Sequence, residues 1–264
     1  MISRLMLALL VSCTISLSFS IAQTRPSNPA EASKLWEKVL AAKGGRERLD
    51  AIERFLIIER HRKTQRAFNV LLYVFPNRYW LWEDSRPSRI GVHLTANNGT
   101  GDWVAVAERG RQRDIHGVSW FAEAGKRHYM IRNHAVFLLD TKWLRPMALE
   151  LGKGRIGREE FETITADFGM EGILKKFKYY IEKDTLLVRR VSFGADAGAG
   201  GTTTLYADLS GYRAIDGIMM PSVVKWWDYT PNSIDFGFNV DYDPAIFTRR
   251  PAIEDGPDGW KRAR

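Results

Sequence analysis

The chain has 264 residues, of which 45% are hydrophobic and 12% aromatic, and a formal charge of +8. That is enough apolar material for one sizeable domain with a real core and gives no sign of two. The single cysteine, Cys13, excludes a disulfide framework; if residues 1–22 are removed, it also excludes a thiolate nucleophile, a cysteine-held metal and redox chemistry.

The chain opens on an export signal. Arg4 precedes an apolar run from Leu5 to Val11 that continues through Ile15, Leu17 and Phe19 to Ser20-Ile21-Ala22, which places a signal peptide over 1–22 with cleavage after Ala22. A membrane anchor needs about 20 solidly apolar residues, whereas Ser12, Thr14, Ser16, Ser18 and Ser20 interrupt this run. The rival route is lipidation, because Leu10-Val11-Ser12-Cys13 carries a small residue before the cysteine, although the apolar run continues past it. The mature chain is therefore expected in the periplasm, either free or lipid-anchored to a membrane through Cys13.

Residues 23–33, with Pro26 and Pro29 among small polar residues, read as a flexible leader. A short helix is predicted from a Ser33 cap, with Leu35, Val39 and Leu40 at helical spacing and a stop at Gly44-Gly45. After Leu49 and Ile52 the pattern turns strand-like. Phe68 to Phe75 is apolar at nearly every position, and Pro76-Asn77 turns it into Arg78 to Glu83, with Trp80 and Trp82 on one face and Tyr79 and Leu81 on the other. Strands apolar on both faces are expected to be covered on both sides. A hairpin is predicted over Val92 to Glu108 about Asn97-Asn98-Gly99. A second helix is expected over Thr141 to Leu151, where Trp143, Leu144, Met147, Ala148 and Leu151 recur at helical spacing before Gly152.

Gly169 to Lys183, Thr185 to Phe193, Thr202 to Leu209, Met219 to Tyr229 and Ile234 to Tyr242 then read as consecutive strands. Their turns fall at Lys183-Asp184, Gly194 to Gly201, Asp216-Gly217 and Pro231-Asn232. Along the last of them Phe236, Phe238, Val240 and Tyr242 face one way and Asp235, Gly237, Asn239 and Asp241 the other, a sheet with one wet side. The charged, Pro- and Gly-rich end beyond Arg249, residues 252–264 in particular, is expected to be a loose tail.

This order of elements, together with Ala41-Ala42-Lys43-Gly44-Gly45, the stretch Tyr212 to Pro221 and the stretch Asp243-Pro244-Ala245-Ile246-Phe247, resembles the outer-membrane lipoprotein-sorting family, the LolA-like carriers, across about residues 34–251. The resemblance implies a mainly β (α+β) domain. Its form would be a single antiparallel incomplete β-barrel, with a short N-terminal helix and a mid-chain helix covering the open side and an apolar cavity between. It further implies a ligand of lipid or lipoprotein acyl chains, no cofactor and no catalytic residues.

The search for other chemistry returns little. His61, His93, His116, His128 and His134 form no metalloprotease pair, and no metal site is expected; His128 and His134 meeting across a hairpin is the one arrangement that would offer one. Nucleophile elbow and P-loop are absent. Gly152-Lys153-Gly154-Arg155-Ile156-Gly157 matches the dinucleotide fingerprint in letters but not in context, and reads as a helix stop and loop. A hydrolase would need Asp208, Asp216 and His116 to converge. Basic clusters at Arg109 to Arg113 and at Lys175, Lys176 and Lys178 carry no nucleic-acid motif, which leaves a solvated face or peripheral contact with an anionic membrane.

The aromatics carry the sharper reading. Trp80, Trp82, Trp103, Trp143 and Trp227, with Leu144 and Met147, are the candidates to line the cavity, although for any single tryptophan a place in a packed core is the plainer expectation. The function expected is thus a non-enzymatic, exported carrier of lipid or acyl chains that meets an envelope protein partner or an anionic membrane. The alternative is a structural or interaction protein of the cell envelope on the same scaffold with a filled core, recognised by the lack of a cavity of a few hundred Å3.

Overall fold

The computed structural model describes residues 28–61, 66–84, 91–99, 102–108, 111–116, 130–170, 175–198, 201–227, 232–249 and 252–261. The expected signal, residues 23–27 of the leader, and His128 lie outside the described residues.

Helix α1 spans Pro29–Lys43 and begins earlier than predicted, because Asn28 rather than Ser33 is its cap. The Asn28 side chain accepts the Ala30 N–H, and Pro29 supplies a preset φ at the first turn, where an amide hydrogen has no helical partner. The stop at Gly44 is as predicted. Gly44 has φ +139°, and a Cβ there would meet the Gly217 carbonyl oxygen at 2.6 Å. Gly44→Ala is expected to cost about 1–3 kcal/mol, read as a fall in the urea midpoint, because both the backbone conformation and the docking of α1 on the Asp216-Gly217 turn are disturbed. Helix α2 covers Arg46–Asp50.

Among the described residues thirteen strands follow as one antiparallel sheet: β1 Arg54–Arg60, β2 Ala67–Val74, β3 Arg78–Asp84, β4 Val92–Asn97, β5 Asp102–Glu108, β6 Arg111–His116, β7 Ala148–Ile156, β8 Glu159–Asp167, β9 Lys176–Ile181, β10 Val188–Gly198, β11 Gly201–Ile215, β12 Ile218–Trp226 and β13 Asn232–Phe238. The order is β6-β5-β4-β3-β2-β1-β13-β12-β11-β10-β9-β8-β7. Two meanders are therefore joined where the first strand pairs with the last, Phe55 opposite Phe238 and Ile57 opposite Phe236. The sheet is open, with β6 and β7 as its edges, and so forms an incomplete barrel.

The helix expected over Thr141 to Leu151 is not there. A helix α3 occupies 130–137, residues 138–147 form a turn with a bridge between Thr141 and Leu144, and β7 starts at Ala148. Pro146 blocks a helix through this stretch, since it lacks the amide hydrogen and its ring clashes with the preceding turn. From Ala148 onward the partly buried positions Leu149 and Leu151 alternate with exposed neighbours, the period of a strand. The glycine-rich motif is likewise strand rather than loop. Gly154 lies where a Cβ would meet the Tyr180 ring at 2.5 Å, and Gly157, with φ +60°, makes the β7–β8 turn. Those glycines answer to cross-strand packing and leave no helix N-terminus for a pyrophosphate.

The sheet carries two separate cores. On the concave face, residues from α1, α3 and most strands form one cluster; on the far face of β1 to β4, Leu56, Val70, Leu72, Trp80, Trp82 and Leu94 anchor a second. The second is roofed by short 3-10 turns at Pro244–Phe247 and Ile253–Asp258, which bring Ile246, Phe247 and Trp260 onto it. The tail expected to be loose is thus packed over 252–261, because Trp260 and the partly buried Ile253 anchor it to this core despite its charged composition.

Candidate functional site

The candidate site is the space between the concave face and the helices. Helix α1 turns Ala32, Trp36, Val39, Leu40 and Lys43 inward, the spacing of one helical face. The Trp36 ring lies 5.0 Å from that of Tyr179, and the Tyr179 hydroxyl donates to the Ala135 carbonyl at 3.0 Å, tying β9 to α3. From α3, Phe137 stands edge-on to Trp226 at 6.0 Å and to Phe236 at 5.1 Å. Phe55 stacks between Phe236 and Phe238 at 5.8 and 5.7 Å. Aromatic rings from both meanders thus meet under α3.

The polar fastening of the helices converges on one carboxylate. Asp140, 3% exposed, accepts the Trp36 indole N–H at 3.0 Å and both terminal nitrogens of Arg46 at 3.1 and 3.2 Å. It reaches them because Leu139 takes a left-handed conformation, φ +66°, that ends α3 in a tight turn. Beside it, buried His134 shares a 2.9 Å hydrogen bond with Thr141, and burial pushes its pKa down to about 3. Asn133 donates to the Tyr73 hydroxyl at 3.0 Å. On the following turn Trp143 donates its indole N–H to the Ile52 carbonyl at 2.8 Å, while Lys142 pairs with Glu53 and Arg145 with Asp50. At the other end of the cluster Glu59 accepts from Asn69 and from the Trp226 indole, and its burial raises its pKa.

The predicted lining residues scatter. Trp80 and Trp82 belong to the far-face core, against Val70, Leu72 and Leu94, and do not face the helices. Trp143, Leu144 and Trp227 are partly buried against the concave core. Met147 is 79% exposed and lines nothing. Trp103 lies in β5, its side chain outside the described residues. The residues that do form the interior were passed over: Trp36, Phe137, Tyr179, Lys43 and Asp140. Two had a signal in the sequence, since Lys43 interrupts the apolar face of α1 and Asp140 ends the apolar run Ala135 to Leu139.

Among the described residues this interior is closely packed, and a cavity of about 10 Å3 lies in it, lined by Val39, Lys43, Val136, Leu139, Leu187, Val188 and Tyr212. A groove of about 620 Å3 lies elsewhere, at β8 and the β9–β10 turn, and its walls carry Lys153, Glu159, Glu160, Glu162, Lys183 and Arg189. Its alternating charges do not suit an acyl chain.

The hydrolase constellation does not assemble. Asp208 pairs with Arg190 at 2.6 Å in mid-β11, Asp216 sits roughly 25 Å further along in the next turn, and His116 lies on the edge strand β6. His134 is on α3 rather than a hairpin strand, and no group of three metal-ligating side chains occurs among the described residues. No helix among them is long and apolar enough to cross a membrane.

No family model and no curated protein matches the chain. Solved structures do. A LolA superfamily protein, NE2245 from Nitrosomonas europaea, is 13% identical with a TM-score of 0.43, covering 83% of this chain and 97% of its own. A putative outer-membrane lipoprotein-sorting protein domain from Vibrio parahaemolyticus is 11% identical with a TM-score of 0.38, covering 83% and 97%. A DUF1329 family protein from Desulfovibrio piger is 14% identical with a TM-score of 0.40, covering 84% and 98%. The first two are described by the family that the sequence resembles.

Proposed function

We propose that the protein is an exported, non-enzymatic carrier that takes a lipid or acyl chain between the concave sheet face and helices α1 and α3. The observation that carries this reading is the construction of that interior. It is mainly apolar and aromatic, with a few buried polar groups, it lies on the open side of an incomplete barrel, and Asp140 helps to fasten its cover. In the arrangement described the cover is shut, so loading requires the helices to lift and the rings of Phe137 and Trp36 to swing aside. Delivery would take place at an envelope protein partner or an anionic membrane surface, with the chain free or tethered through Cys13.

One observation favours a second reading. A cavity of about 10 Å3 holds no more than one water, far below the few hundred Å3 of a ligand site, which is what an envelope interaction protein with a filled core would have. Titration of the purified protein with palmitic acid separates the two. The carrier gives saturable quenching of tryptophan fluorescence and an adduct of one ligand per chain in native mass spectrometry, reached faster by Asp140→Asn. Neither signal, in wild type or variant, identifies the filled scaffold.

A further inference from the structure

Lys43 is the last residue of α1, yet it points into the protein and is 4% exposed. Its ammonium donates to the Met219 carbonyl, lies 3.2 Å from the Met220 sulfur and stands 5.8 Å from the centre of the Tyr212 ring. Among the described residues it makes no ion pair. The groups recorded around it are Val39 from α1, Val136 and Leu139 from α3 and its turn, Leu187 and Val188 at β10, Tyr212 from β11, and Met219 and Met220 from β12. None of them is an anion. The Tyr212 hydroxyl donates to the Val188 carbonyl, and burial raises its pKa.

An ammonium taken out of water without a counter-ion is costly, and side chains of this kind are ordinarily paired. Burial accordingly pushes the Lys43 pKa down to about 7. A methionine or leucine would fill the position at no such cost. Lys43 is one of the residues that line the small interior cavity, so the space left under the helices adjoins a side chain whose ammonium has one hydrogen beyond those given to Met219 and Met220.

We propose that Lys43 is the counter-charge for the anionic head, a carboxylate or a phosphate, of the chain carried in the interior. This rests on the carrier reading and narrows it to single-chain anionic lipids, held tail-first among the aromatic rings with the head at the C-terminal end of α1. An incoming oxyanion would accept the ammonium's remaining hydrogen and offset the desolvation penalty that the buried charge bears.

Three ligands with the same sixteen-carbon tail test it: palmitate, hexadecyl phosphate and hexadecanol, each titrated at pH 7 against the wild type and Lys43→Met. The expected result is that one or both anions bind wild type about tenfold or more tighter than hexadecanol. Lys43→Met should lose that preference while holding hexadecanol unchanged. Preference for palmitate alone or hexadecyl phosphate alone says which head the site is made for. Equal affinities for all three overturn the proposal and leave the carrier standing; failure of all three to bind overturns both. Should Lys43→Met not fold, Lys43→Gln keeps the donor to the Met219 carbonyl without the charge and reads the same preference.

Discussion

Asp140→Ala is expected to lower the stability by about 3 kcal/mol, which for a domain of this size is a fall of roughly 6–12 °C in Tm. The carboxylate accepts from Trp36 and twice from Arg46, so its removal leaves a buried indole N–H without an acceptor and a half-buried guanidinium with Glu37 alone. It also unfastens α1 and α2 from the end of α3, which gives the measurement a second readout. An apolar dye that ignores the wild type should bind the variant below its melting temperature. Asp140→Asn retains one acceptor oxygen and should lose about 1 kcal/mol. Melting of both variants within about 1 °C of the wild type would show that apolar packing alone holds the helices.

The second large effect is acid sensitivity through His134. Its pKa is lowered by burial to about 3, whereas in the unfolded chain it titrates near 6.5. Between those values the unfolded state binds a proton that the folded state refuses, so stability falls as pH drops below 6.5, by up to about 1.4 kcal/mol per unit, until about pH 3. At pH 4.5 the loss relative to pH 7.5 is about 2–3 kcal/mol from this residue. His134→Gln, which keeps a hydrogen bond toward Thr141, should flatten that part of the profile when urea midpoints are compared across pH 4.5 to 7.5. Glu59, with its raised pKa, contributes a slope of the opposite sign as pH rises above its unfolded value near 4.5. It is present in both proteins, so the comparison cancels it. Parallel profiles would show that the His134 imidazole is protonated in the fold.

The local order of the meander was readable from turn chemistry and alternation. Asn97-Asn98-Gly99 and Asp216-Gly217 mark hairpins, and the opposition of Trp80 and Trp82 to Tyr79 and Leu81 is the one observed. Which of two apolar faces looks toward the helices was not readable, because period-2 patterning separates faces without labelling them. That is why Trp80 and Trp82 were assigned to the cavity and lie in the other core. The second helix was misplaced for a related reason. Trp143, Leu144 and Met147 have helical spacing by coincidence around Pro146, while α3 ends in the continuous apolar run from Ala135, which has no period at all. In the interior, the filling aromatics come from elements distant in sequence, and only the fold brings Trp36 to Tyr179 and Phe137 to Trp226.

The pairing of β1 with β13, and the roof that residues 246–260 make over β1 to β4, also set an order of assembly. A ribosome releases the N-terminal strands first, but their partner and their cover are synthesised last. Until then Trp80, Trp82 and Leu72 have only their neighbours on the same sheet face and no cover, and the first meander is a half-sheet with a wet apolar side. Long-range closure of this kind folds slowly and only as a whole. A nascent chain so arranged keeps the apolar side of its first meander in water until its last residues are made.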